Sequence, residues 1–93
     1  MGVKHVDGKT VGKLMLYALS TCVWCQKTKR LLDDLGVGYD YTDVDLLPGS
    51  EKEAAIKVIK KHNPACSFPT LVINDSKCIV GYKENEIREV LKQ

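Results

Sequence analysis

Two cysteines separated by two residues, Cys22 and Cys25, fall where the hydrophobic period of the chain changes. Before them, Leu14 to Ala18 is a short apolar run bounded by Gly12 and by Ser20-Thr21, which predicts a buried strand. After them, Trp24, Thr28, Leu31, Leu32 and Leu35 recur at helical spacing, and Gly36 stands where a helix C-cap belongs. A strand entering a helix through a Cys-x-x-Cys junction strongly constrains a chain of 93 residues, a length that holds one core.

The rest of the chain extends that pattern. Tyr39, Tyr41 and Asp43 alternate with Asp40, Thr42 and Val44, predicting a second strand. Pro48-Gly49 turns the chain, and Ser50 followed by Glu53 reads as a capping box opening a helix that buries Ala55, Ile56 and Ile59. That helix must stop before Pro64, because the residue preceding a proline avoids helical geometry. Thr70 to Ile73 and Cys78 to Val80 are β-rich runs joined by Asn74-Asp75-Ser76-Lys77, a hairpin with good turn chemistry. After Gly81, Glu84 and Glu86 enrich a helix start in negative charge, and Ile87, Val90 and Leu91 supply its apolar stripe. The order predicts an α/β fold: a four-stranded mixed sheet with helices on both faces, its first crossover parallel and right-handed. Residues 1–13 are expected to lie outside it as an arm or a small hairpin around Asp7-Gly8, with residues 14–93 as the main domain.

Composition narrows the function. With 44% hydrophobic and 28% charged residues, the chain is neither disordered nor a collagen-like or coiled-coil sequence. A net charge of +2 gives no case for nucleic acid, and the longest apolar run, Leu14 to Leu19, is far too short for a membrane span or a signal-peptide core. Met1-Gly2 begins like a myristoylation signal, but Val6 occupies the position where Ser or Thr is needed. A cytosolic monomer with no membrane or nucleic-acid partner is the expectation. Lys27, Lys29 and Arg30 form either a local positive field beside the cysteines or simply a solvated helix face.

In a reducing compartment, four cysteines (Cys22, Cys25, Cys66 and Cys78) point to redox chemistry or a metal rather than to a disulfide framework. Cys22 falls at the strand-to-helix junction, where unpaired amides and the helix dipole favour a thiolate. Cys25, one turn further, is better shielded and suited to attack a mixed disulfide from behind. A zinc site would need two knuckles. Cys66 and Cys78 are separated by eleven intervening residues and the histidines lie at 5 and 62, so no metal ligand set is expected. Cys66, three residues before Pro69, is a possible accessory thiol or an unreactive loop residue, and Cys78 reads as a small buried hydrophobe. Trp24 is either a partner contact or core, His62 supports a helix C-terminus, and His5 carries no specific signal.

The strand and Cys-x-x-Cys helix entry, Ser67-Phe68-Pro69-Thr70, and Cys78-Ile79-Val80-Gly81-Tyr82 together resemble a glutaredoxin over about Leu14 to Leu91. The resemblance implies a thioredoxin-like fold and a dithiol–disulfide oxidoreductase, with Cys22 attacking and Cys25 resolving. Val23 and Trp24 fill the slots of the usual proline and tyrosine. Pro69 is the counterpart of the family's cis-proline, leaving the Phe68 backbone free to pair with substrate, and Phe68, Pro69, Gly81 and Tyr82 frame the groove. Two positions depart from the glutathione-binding pattern. Leu19 stands where many members carry lysine, and Lys83-Glu84 replaces a pair of acids, putting a cation where an ammonium is received. The implied partners are disulfide-bearing proteins and a reductant: glutathione, another low-molecular-weight thiol that Lys83 pairs with, or a thioredoxin-reductase-type enzyme. No bound cofactor is implied beyond a redox-active Cys22–Cys25 disulfide. The alternative within the family is an iron–sulfur or metal carrier that uses Cys22.

Overall fold

The computed structural model of the protein describes residues 3–91. Strands β1 (Lys4–Val6), β2 (Leu14–Ala18), β3 (Tyr39–Asp43), β4 (Thr70–Ile73) and β5 (Lys77–Val80) form one sheet in the order β1-β3-β2-β4-β5. The helices are α1 (Val23–Leu35), α2 (Gly49–His62) and α3 (Glu84–Val90). Strands β2 and β3 run parallel, with Leu16 opposite Tyr41, and every other pairing is antiparallel. The sheet is mixed, as expected, but has five strands instead of four.

The fifth strand comes from the amino-terminal segment, where the expected hairpin does not form. Lys4–Val6 pairs antiparallel with β3, Val6 lying opposite Tyr39. The chain then bends back, and Lys9 exchanges bonds with the loop after α1, donating to Gly36 O at 2.8 Å and accepting from Gly38 N at 2.9 Å. Gly8 makes this approach possible, since a Cβ there would sit 2.5 Å from the Val37 carbonyl carbon. Asp7-Gly8 thus serves close backbone packing rather than a two-residue turn.

Alternation along β2 sets the two layers. Leu14, Leu16 and Ala18 face a large cluster with Leu31 and Leu32 of α1, Leu71, Ile73 and Ile79 of the hairpin, and Ile87 and Leu91. Tyr17 faces the other way, packing with Val44, Val72 and Ile59 of α2. Each fully buried Leu or Ile contributes roughly 1.5–3 kcal/mol of transfer free energy, so the larger cluster carries most of the stability.

Helix ends follow local chemistry, with one exception. Gly36 closes α1 in the left-handed region at φ 69°, its N–H directed to Asp33 O and Leu32 O. Asn74 and Asp75 both adopt positive φ, 54° and 59°, the pair a tight primed turn requires, and Lys77 already belongs to β5. The Ser50–Glu53 capping box is not formed. Helix α2 starts two residues earlier, at Gly49, with Pro48 rather than Ser50 as a cap that has no side-chain bond. The Pro48 carbonyl accepts from Lys52 N at 2.8 Å, so Ser50 is already inside the first turn, where its hydroxyl cannot cap.

Candidate active site

The Cys-x-x-Cys junction forms at the carboxyl end of β2. The chain turns through Ser20, whose N–H and hydroxyl both donate to Asp45, at 2.9 and 2.6 Å. These two bonds hold the Asp45 carboxyl below its ordinary range. Cys22 N donates to Leu19 O at 3.1 Å, which completes the turn. Cys22 is then the cap residue of α1, with extended geometry (φ −86°, ψ 115°), and its Sγ accepts from Cys25 N at 3.1 Å. The sulfur thus sits at the amino-terminal end of α1 and receives one backbone N–H there.

The two sulfurs sit in different environments. Cys22 is half-buried at the surface, whereas Cys25 is fully enclosed in the α1-side cluster. Burial, reinforced by hydrogen bonding to Cys22, pushes the Cys25 thiol up to about 12, while a backbone hydrogen bond at Leu19 and, more weakly, Lys29 pull the other way. Lys29 lies four residues after Cys25, on the same helix face. Its ammonium is 3.0 Å from Asp43 Oδ1 and 4.3 Å from the centre of the Tyr41 ring. Of the three cations noted in the sequence, Lys29 is therefore tied inward, and Lys27 lies over the Trp24 ring at 4.7 Å. All four cysteines are free thiols.

Trp24, Phe68, Pro69, Gly81 and Tyr82 line one groove of about 250 Å³. The Phe68–Pro69 bond is cis, and Gly81 N donates to Pro69 O at 2.8 Å, joining the two walls. Trp24 is 55% exposed and so is not core. Its ring stacks on Tyr82 with 5.9 Å between centroids and 27° between planes. Behind the groove, buried Asn63 donates through Nδ2 to Ser67 O (3.2 Å), Ser67 Oγ (3.1 Å) and Thr70 Oγ1 (3.2 Å). Thr70 Oγ1 in turn donates to Ser67 O at 2.7 Å, so the segment that carries Phe68 and Pro69 is braced from within.

Not every candidate residue joins this cluster. Val23 is exposed at the first position of α1, outside the groove lining, and Lys83 is exposed at the cap of α3, one residue beyond it. Cys66 is not brought to the dithiol. Together with Cys78 it packs on the α2-side cluster, and Cys78 Sγ donates to His62 O at 3.2 Å. The acids Asp43 and Asp45 are occupied by Lys29 and Ser20. Among the described residues, no three His, Cys, Asp or Glu side chains converge to hold a metal. The sequence reading did not foresee the Asn63 brace, the Trp24–Tyr82 stack or the Lys29–Asp43 pair. Of these, only the last had a local signal, the four-residue step from Cys25 to Lys29.

A cysteine pair at the start of a helix, packed over a mixed sheet beside a cis-proline, defines the thioredoxin-like class of thiol proteins. The glutaredoxin family pattern matches residues 14–79. The glutaredoxin of Methanosarcina mazei Go1 superposes with a TM-score of 0.93 at 55% identity, covering 100% of this chain and 90% of that one. The methanoredoxin of Methanosarcina acetivorans gives 0.90 at 56% identity, covering 92% of this chain and 90% of that one. Glutaredoxin 1 of Rickettsia prowazekii is 36% identical over 62 residues, 67% of this chain and 62% of that one. The chain belongs to the glutaredoxin family, whose members are thiol–disulfide oxidoreductases.

Proposed function

We propose that the protein reduces disulfides by a two-cysteine route in which Cys22 is the nucleophile and Cys25 the resolving thiol. The supporting observation is the Cys25 N–H bond to Cys22 Sγ, combined with the unequal burial of the two sulfurs. Cys22 thiolate attacks one substrate sulfur, an S–S bond forms to Cys22, and the other substrate sulfur leaves as a thiolate that takes up a proton. Cys25, deprotonated, then attacks Cys22 Sγ. The second substrate thiol departs, and the Cys22–Cys25 disulfide holds the two-electron deficit until an external thiol or reductase restores it. The cytosol is the compartment we propose, since it supplies such reductants.

The reductant we favour is a low-molecular-weight thiol other than glutathione. In this chain the slot where glutathione-binding members hold paired acids carries Lys83, exposed and without an ion pair among the described residues, and Glu84. Glu84 is engaged by Arg88 at 2.9 Å and by Tyr82 at 3.2 Å, so no free carboxylate is offered to an ammonium. The decisive experiment follows reduction of the Cys22–Cys25 disulfide by glutathione, by anionic small thiols and by a thioredoxin-reductase system. Anionic thiols should be fastest, and Lys83→Asp should shift preference towards glutathione. If Lys83→Asp leaves the ranking unchanged, that residue does not select the reductant. Anaerobic purification with iron and zinc assay supplies the remaining arm, in which stoichiometric metal lost in Cys22→Ser would replace the exchange reading with a carrier.

A further inference from the structure

Beside the groove, and sharing Tyr82 with it, lies a second concavity of about 380 Å³ between α1 and α3. Its charged lining is Lys27, Arg30, Asp34, Glu84 and Arg88. Glu84 and Arg88 satisfy each other, which leaves Lys27 and Arg30 as cations without an ion pair among the described residues, against the single acid Asp34. Both cations follow Val23 at four- and seven-residue steps along one edge of α1. Val23 and Trp24, at the head of that edge beside Cys22, are 62% and 55% exposed. An apolar shoulder next to a nucleophile, leading to a recess where two cations face one acid, is more than the resolving chemistry requires.

We propose that the Val23–Arg30 edge of α1 and the recess behind Tyr82 form a second subsite for protein substrates, receiving an acidic segment of the chain that carries the disulfide. This rests on the exchange function proposed above and names the substrate class that site prefers. The occupant is a polypeptide, because it must reach both concavities while covering Val23 and Trp24. A small anionic disulfide fills the groove alone. An apolar substrate residue lies on the Val23–Trp24 shoulder, and a carboxylate approaches Lys27 and Arg30 while the disulfide stays at Cys22. The attraction is between partly exposed charges, so it acts chiefly on encounter rate and is screened by salt.

The test uses three disulfide-linked peptides that differ only in flanking Glu-Glu, Gln-Gln or Lys-Lys. Their rates are taken relative to neutral hydroxyethyl disulfide, which reports the dithiol chemistry alone. At low salt the Glu-Glu peptide should be reduced roughly tenfold faster than the Lys-Lys peptide, and the ratio should fall towards one as salt rises. The double variant Lys27→Glu, Arg30→Glu should invert the order. Equal rates for the three peptides, or an order that survives the charge reversal, would overturn the subsite. Dithiodiglycolate forms a further arm. If it gains as much as the acidic peptide and loses it on charge reversal, the occupant is a small anion and the polypeptide assignment fails. Should hydroxyethyl disulfide itself go unreduced, the exchange function fails instead. The subsite then stands or falls on S-methylated peptides binding Cys22→Ser protein, where the acidic peptide should shift the amides of Val23 to Arg30 and the Lys-Lys peptide should not.

Discussion

The two faces of the sheet each hold a pair of cysteines, and they use them differently. On the α1 side, Cys22 and Cys25 share a hydrogen-bonded helix start, one sulfur facing solvent and the other enclosed. On the α2 side, Cys66 and Cys78 pack against the same four-residue cluster, and Cys78 donates to the His62 carbonyl. The difference teaches that a thiol becomes a candidate nucleophile through the backbone donors around it rather than through being a cysteine in a small domain. The α1 face supplies those donors because β2 ends where α1 begins. The α2 face instead offers Cys78 a carbonyl acceptor, and no backbone donor to its sulfur is seen among the described residues.

The largest expected effect tests this contrast directly. Cys22→Ser should lower disulfide reduction by roughly three orders of magnitude or more. Cys66→Ser and Cys78→Ser should each leave it within about twofold, a change in barrier below ~0.5 kcal/mol. Cys25→Ser should accumulate a mixed disulfide on Cys22, visible by mass spectrometry. A Cys66→Ser variant as inactive as Cys22→Ser would erase the distinction between the faces.

The sequence revealed the α1 side more fully than the α2 side. The cysteine pair, the α1 periodicity ending at Gly36 and the turn after Ile73 are local signals, each set by a few neighbouring residues, and they reappear with only Lys77 moved from the turn into β5. The amino-terminal strand is different. A hairpin around Asp7-Gly8 would have paired Lys4, His5 and Val6 locally; they form β1 on β3 instead, because β3 offers an unpaired edge and Gly8 permits close approach. Likewise Ser50 matched a capping motif, yet the Pro48 carbonyl had already begun the helix. Asn63 read only as the residue before a proline. Its three acceptors come from the turn that follows and from β4, a juxtaposition no local pattern displays.

That brace gives the next prediction, since it belongs to the α2 side but supports a wall of the groove. Asn63→Ala should cost about 1–3 kcal/mol, because it strips buried Thr70 and Ser67 groups of a donor. Chemical denaturation measures this. With Phe68 and Pro69 less firmly held, KM for a disulfide substrate should rise while Cys22 alkylation stays unchanged. A loss of stability with KM intact would confine Asn63 to scaffolding.

On the α1 side, Lys29 offers a smaller effect with a defined sign. Burial pushes the Cys25 thiol up to about 12, so below that value its thiolate fraction rises about tenfold per pH unit, and release of the mixed disulfide should accelerate with pH. Lys29 opposes the burial effect. Lys29→Met should therefore slow release by roughly two- to threefold at fixed pH and move the profile slightly to higher pH. Lys29→Arg should restore most of the rate. The first attack, measured in a Cys25→Ser background, bypasses Cys25 and should not follow the same shift. Equal slowing of both steps would mean that Lys29 acts on the whole helix start.

The smallest effect is expected at the edge strand β1, whose pairing with β3 the sequence did not disclose. His5 places Nδ1 2.7 Å from Asp40 and Nε2 3.0 Å from Asp7, so both ring nitrogens face carboxylates. A neutral imidazole has one N–H and can serve only one of them, whereas the cation serves both. The hydrogen bond to Asp40, helped by the charges of Asp40 and Asp7, raises His5 above its ordinary value against the opposing effect of desolvation. A raised folded-state value means the contribution is complete below about 6.5 and disappears as pH climbs through the folded value. Since the group is exposed, salt should weaken it further. Amide exchange at Lys4–Val6, corrected for its intrinsic pH dependence, should consequently be slower at pH 5.5 than at 8.5 by roughly twofold or less, while β2 and β4 show no such change. His5→Gln should flatten that dependence, because one amide donor then faces two carboxylates at every pH. If β1 exchanges identically at both pH values in the parent protein, its attachment rests on the β3 ladder and the Gly8 approach alone.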